Sequence, residues 1–539
     1  MPLRAPTIVV GDGLCAVPLR INNARCEIDA PDQSTPPVLN LSSRILRISA
    51  LANTVRVCYI IHSTAKRQIC VIIEEKKVKL SRFIGNKAFY RKLFAVMLPI
   101  LIQNVITNFV SLLDNVMVGQ VGTEPMSGVA IVNQLLFVFN LCIFGCSSGA
   151  GIFTAQYHGS GDREGVRNTF RFKILSCLAL ALVGIGIFYF GGQGLIGLYL
   201  TGEGDPQEAA GAMAYGLSYL QMMLLGLIPF ALCNAYSSTL RETGETMVPM
   251  LGGIAAVLVN LGLNYVLIFG HFGAPKMGVE GAALATVISR YVELAIVAGW
   301  THAHGERNPF IRGAYRSMKI PVRLLKSIAI KGMPLLVNEF LWSSGMAILN
   351  QCYSTCGLSV VPAMNISSTL YNLGSVVYLS MGNAVGILMG QLLGAGEDEM
   401  TVRDENRKMT AIAVVSGVLF GGLMAACSGL FPEIYNTTDE VRSLAAKLIL
   451  IAAVMLPFNS YTNAAYFTLR SGGQTMVTFL FDSCFVWCCC VPLAFVLSRF
   501  TGMAILPLYA ICQAMDLLKC AVGKYLIHKG VWIRNLVSA

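Results

Sequence analysis

Asp114 sits near the end of a long apolar run, Leu93–Gly122, that also carries Pro99, Gln103, Asn104, Thr107, Asn108, Ser111 and Asn115. On a 3.6-residue period Asn104, Thr107, Asn108, Ser111 and Asn115 fall on or near one helical face, and Asp114 borders it. Lipid offers such a stripe no hydrogen bonds, so it must face other helices or a wet cavity. A carboxylate at membrane depth costs a few kcal/mol or more and generally marks an ion or substrate path. Glu339 is a second acid of this kind, with Ser343 one turn on and Asn350 further along the same face. Asp482, in FLFDSCF, has no charged partner at i±3 or i±4. Arg290 and Glu293, and Asp516 and Lys519, are each three apart and read as self-paired charges. Other chemistries lack their motifs: DDxxD, HExxH and GxSxG are all absent, which argues against a membrane-embedded enzyme. No cysteine spacing suggests a metal site, and Cys488–Cys490 read as buried free thiols. His302 and His304 are two loop histidines, and no bound cofactor is expected.

Such acids need long apolar helices to carry them, and the composition supplies these. Of 539 residues, 55% are hydrophobic and 13% charged, where a soluble protein carries about twice that charged share. The mean hydropathy is +0.63. This is an all-α polytopic membrane protein. Twelve spans are expected, at about 93–119, 124–154, 170–191, 209–235, 246–269, 279–301, 327–354, 359–391, 408–430, 441–467, 474–497 and 503–525. The net charge of +11 calls for no nucleic acid, because the basic residues cluster in alternate loops. They lie before the first span, between the second and third, in the 302–331 region and after the last. The positive-inside rule therefore places both termini in the cytoplasm. Residues 1–80 hold no sustained period and no standard signal peptide, and read as a disordered or non-native extension, with a start near Val78 or Leu80.

The chain also repeats itself. A shift of 235 residues sets Pro99 on Pro334, Gly122 on Gly357, Gln156 on Gln391, and HGSGD (158–162) on LGAGE (393–397). Further on, LRETGETMV (240–248) matches LRSGGQTMV (469–477) at an offset of 229. Six spans per half make the repeats parallel, two pseudo-symmetric six-helix lobes around a central cavity. The expected domains are the extension 1–80, an N-lobe at 85–301, a cytoplasmic linker at 302–326 and a C-lobe at 327–530.

With these features the sequence resembles the multidrug and toxic compound extrusion (MATE) family over about residues 85–530. The likeness rests on LLDNVMVGQVGTEPMSGVAIVNQ (112–134), TAQYHGSGD (154–162), LRETGETMVPM (240–250), NLGLNYVLIFG (260–270), GVEGAALATVISR (278–290) and NEFLWSSG (338–345). The resemblance implies antiport, with H⁺ or Na⁺ moving in as organic cations or other amphipathic drugs move out. It implies a cell-membrane location and a monomer. Carried over, Asp114 falls on the cation-coupling carboxylate, with Asn260, Asn264 and Thr286 as its polar partners. Glu339, Asn338 and Asn133 fall in a substrate or second cation site. The family branch with a well-described ion site has Asp where this chain has Asn264, which removes one charge from an oxygen-ligand Na⁺ site. A second reading within the superfamily is a lipid-linked-oligosaccharide flippase, which calls for a more cationic cavity.

Overall fold

The computed structural model describes residues 83–200 and 206–538, except for the side chains of 110–112, 115, 116, 123 and 206. The expected disorder of 1–80 lies outside the described residues, as do the side chains of Ser111 and Asn115. Twelve long helices follow one another: α1 (Lys87–Gly119), α2 (Thr123–Ser160), α3 (Arg163–Leu200), α4 (Pro206–Glu242), α5 (Met247–Phe269) and α6 (Val279–Ala303). The second half holds α7 (Val322–Ser354), α8 (Val360–Ala395), α9 (Glu399–Ala426), α10 (Asp439–Ser471), α11 (Thr475–Phe500) and α12 (Ile505–Lys529). No strand occurs among the described residues. Eleven of these helices are apolar and long enough to cross a bilayer. The other, α7, is long enough but more polar, holding Lys326, Lys331, Asn338 and Glu339. Several helices outrun their expected spans, α2 to Ser160 and α4 to Glu242, because hydropathy stops at the apolar zone while the backbone hydrogen bonds continue.

Packing follows the repeat. In the first half α1 lies on α5, α2 on α3 and α4, α4 on α3 and α6. In the second half α7 lies on α11, α8 on α9 and α10, α10 on α9 and α12. The lobes meet through α1 and α2 against α7 and α8. Prolines inside the helices free carbonyls that lipid cannot satisfy, and neighbours take two of them up. Pro99 frees the Ala95 carbonyl, which accepts from the Thr246 hydroxyl at 2.8 Å. Pro229 frees that of Leu225, which accepts from the Tyr291 hydroxyl at 3.3 Å. In α11, two π-turns at Leu480–Cys484 and Val486–Cys490 widen the helix. There Cys490 is buried but Cys488 is exposed, because three consecutive helical residues cannot share one inward face.

The linker is docked rather than free. Arg171 donates to the carbonyls of Ala314 at 2.8 Å and Gly313 at 2.9 Å, and the Phe310 ring packs at a tilt against Phe170. His302 ends α6 hydrogen-bonded to Tyr236 at 3.0 Å, while His304 meets the Trp300 carbonyl. No cluster of metal-ligating side chains exists among the described residues.

Candidate functional site

At the end marked by the α2–α3 and α8–α9 turns, the two lobes close on each other by a reciprocal contact. Gln156, on α2, donates to the carbonyl of Ser471 at the end of α10 (2.9 Å). Gln391, on α8, donates to the carbonyl of Glu242 at the end of α4 (2.9 Å). The repeat makes these the same bond drawn twice. Glycines allow the approach: a Cβ on Gly159 would lie 2.0 Å from the Gln391 carbonyl oxygen, and one on Gly394 1.9 Å from that of Gln156. Asn535 and Leu536 add bonds to Gly394 and Gln156 from beneath.

Above this crossing lies a cleft whose wall draws on both lobes. Its lining includes Ser147, Ser148, Asn234, Ser238 and Arg241 from one lobe and Asn383, Phe467, Arg470 and Ser471 from the other. Sequence reasoning passed over its two arginines, although the repeated LR of 240–241 and 469–470 carried the signal. Glu242, also on the wall, is taken up by the fully buried Lys173.

In the N-lobe, α1, α5 and α6 bring together the four residues expected there. Asn264 donates to Asp114 Oδ1 at 2.7 Å and to Asn260 Oδ1 at 3.2 Å. Asn260 donates to Thr286 Oγ1 at 3.1 Å, and Thr286 donates to the Ala282 carbonyl at 3.0 Å. The other amide atom of Asn260 lies 2.9 Å from Asp114 Oδ1 and 3.1 Å from Oδ2. An ionised carboxylate demands the NH₂ there, whereas a protonated acid gives its proton to the amide oxygen. Turning the amide also reverses the bond to Thr286, whose hydroxyl must then donate to it. Asn264 Oδ1 is buried without a partner, a spare acceptor beside the acid. No cationic side chain comes within salt-bridge distance of Asp114 among the described residues. On α1, Asn104 donates to Ser380 of the other lobe at 3.2 Å, while Asn108 is exposed.

The C-lobe residues part company. Asn338 is buried, accepts from Ser483 Oγ at 2.7 Å and donates to Asp482 Oδ2 at 3.2 Å, so it ties α7 to α11 instead of facing the cleft. Its repeat counterpart Gln103 packs on Gly253, the counterpart of Asp482. Asn133 receives a bond from Tyr219 in the N-lobe (3.4 Å) and shares none with Glu339 or Asn338. Glu339 is half-buried, with Arg470 and Asp482 as the charges that act on it. Lys519 lies 3.2 Å from Asp482 and 3.9 Å from Asp516, so the expected in-helix pair is the weaker contact. Arg290 and Glu293 do pair, at 3.0 Å.

Comparisons with known proteins agree with the two-lobe fold. The MatE family model matches residues 99–266 and 334–496, one block in each lobe. The probable multidrug resistance protein NorM of Thermotoga maritima is 24% identical over 456 residues, covering 83% of this chain and 94% of that one. Multidrug resistance protein PmpM of Pseudomonas aeruginosa is 24% identical over 430 residues, covering 78% and 86%. Among solved structures, the Vibrio cholerae MATE transporter VcmN in its bent form superposes with a TM-score of 0.71 at 19% identity, covering 82% of this chain and 97% of that one. An outward-facing multidrug resistance MATE family transporter gives a TM-score of 0.74 at 18% identity, covering 83% and 98%.

Proposed function

The chain belongs to the MatE family of efflux transporters, and from that premise we propose that it is a secondary antiporter exporting amphipathic organic cations in exchange for H⁺ or Na⁺. The observation that carries this reading is Asp114, held 2.7 Å from Asn264 with no cationic side chain at salt-bridge distance among the described residues. A carboxylate so placed must hold a proton or a cation whenever water leaves the lobe. Asn260 then reports its charge. With the acid protonated, the amide oxygen faces Asp114 and Thr286 stays bonded to its own helix. With the acid ionised, the NH₂ faces Asp114 and the Thr286 proton leaves Ala282. The same switch links α1, α5 and α6 to the ion gradient. Glu339 is the second acid, on the C-lobe side, and is assigned to the cationic group of the substrate. Coupling follows from differential affinity: the ion favours one arrangement of the lobes and the drug the other. We assign the protein to the cell membrane as a monomer, and the basic loops favour both termini in the cytoplasm. The flippase reading is favoured by Arg241 and Arg470 on the cleft wall and opposed by the acids Asp114 and Glu339, one in each lobe. The test is transport in proteoliposomes under an imposed pH gradient or Na⁺ gradient, each against a panel of organic cations. Export that ignores both gradients would overturn the proposal.

A further inference from the structure

The charged side chains on the wall of the central cleft are Arg241, Glu242 and Arg470. Lys173 neutralises Glu242, so the two guanidinium groups are left over. Neither has a carboxylate at salt-bridge distance among the described residues, and Arg241 Nε is buried with no acceptor. Arg470 rests on the ring of Phe467, 5.3 Å from its centroid, and bonds to Tyr466 while still lining the cleft. The repeat sets Arg241 on Arg470, so the pair straddles the boundary between the lobes. Hydroxyl and amide groups of Ser147, Ser148, Asn234 and Asn383 stand around them. Acids act on them only from beyond salt-bridge distance, Glu242 and Glu293 on Arg241 and Glu339 on Arg470. Two such guanidinium groups at the edge of a low-dielectric zone favour an anion, and their planar forks match a carboxylate.

We propose that the floor of the cleft is an anion site shared by both lobes, receiving the carboxylate of an amphipathic substrate between Arg241 and Arg470. It extends the reading above, on which it rests only for taking the cleft as substrate-facing. A zwitterion would then be held at both ends, its amine toward Glu339 and its carboxylate on the arginines. The site also adjoins the crossing. Glu242 and Ser471, whose carbonyls accept from Gln391 and Gln156, directly follow Arg241 and Arg470 in the chain. A bound anion therefore draws the lobes together where they already touch.

The experiment uses the full chain in a neutral detergent and two fluorescent probes followed by polarisation: a xanthene dye with a free benzoate, and the methyl ester of the same dye. The expected result is that Arg241→Gln and Arg470→Gln each weaken binding of the acid about ten-fold, the scale of a lost charge-assisted hydrogen bond, while the ester changes less than about two-fold. Equal weakening of both probes, or of neither, overturns the site. If either variant fails to fold, Arg241→Lys and Arg470→Lys decide, since they keep the charge and lose the fork. Selective weakening of the acid supports the site, and unchanged acid binding overturns it. Displacement of the acid by phosphatidylglycerol but not by phosphatidylcholine would assign the arginines to a lipid headgroup and overturn the substrate reading. Gradient-driven export of the ester is independent of all these outcomes, so the antiporter proposal stands or falls separately.

Discussion

Gln156 and Gln391 make the same hydrogen bond in opposite directions across the boundary between the lobes, each to a backbone carbonyl at 2.9 Å. Neither bond stabilises its own lobe, so both report on whether the lobes are closed at this end. A hydrogen bond of this kind is worth about 1 kcal/mol, or about a five-fold change in the closed-to-open ratio. Gln156→Ala and Gln391→Ala should each raise amide hydrogen exchange several-fold in the turns after α2 and α8. Unchanged exchange in both variants would show that the crossing is held by other contacts.

Gly394→Ala and Gly159→Ala should act more severely. The added methyl would fall about 2 Å from a backbone carbonyl, a contact that no rotamer change relieves. Both variants should insert and fold within each lobe yet lose at least ten-fold in transport rate. Wild-type rates in a liposome assay would mean the helices part at this point without cost.

Asp114→Asn imitates the protonated acid. It should fold and still bind drug, but lose gradient-driven efflux by at least ten-fold. Drug binding measured beside transport separates the two effects. Full transport in a well-folded variant would move coupling to Glu339.

Lys519→Met leaves Asp482 without its 3.2 Å partner among buried groups. Breaking one side of such a pair costs about 3–5 kcal/mol, whereas removing both sides is close to neutral. The single variant should therefore show a clearly lowered melting temperature, and Asp482→Asn combined with Lys519→Met should recover part of it, since Asp516 still lacks its 3.9 Å partner. A double variant no better than the single one would assign Lys519 another role.

Much of this is legible in the sequence. The spans follow from hydropathy, and the two lobes from the 235- and 229-residue offsets. Asn260 and Asn264 share a face because they stand four apart, and both reach Asp114 as expected. What escaped were contacts between helices far apart in the chain. A period of 3.6 finds Asp516 for Lys519 but is blind to Asp482, which sits on another helix. Asn338 bonds to Ser483 and Asp482 inside the lobe, partners on another helix that its spacing does not reveal. The pattern gave its face roughly and its neighbours not at all.

The glycine crossing also sets the scale of any movement. From Gly159 back to the first turn of α2 are about 36 residues, or about 54 Å of helix at 1.5 Å each. With no side chain between Gly159 and the backbone of Gln391, the crossing can serve, while it is closed, as a fulcrum for tilting that opens the opposite end. A tilt of about 10° there carries the far tip of α2 through roughly 9 Å, by the geometry of a rigid rod of that length. That is about the diameter of one helix, enough to admit a molecule with several fused rings. Leverage of this kind needs no bending within the lobes, so the size of the mouth is set by helix length.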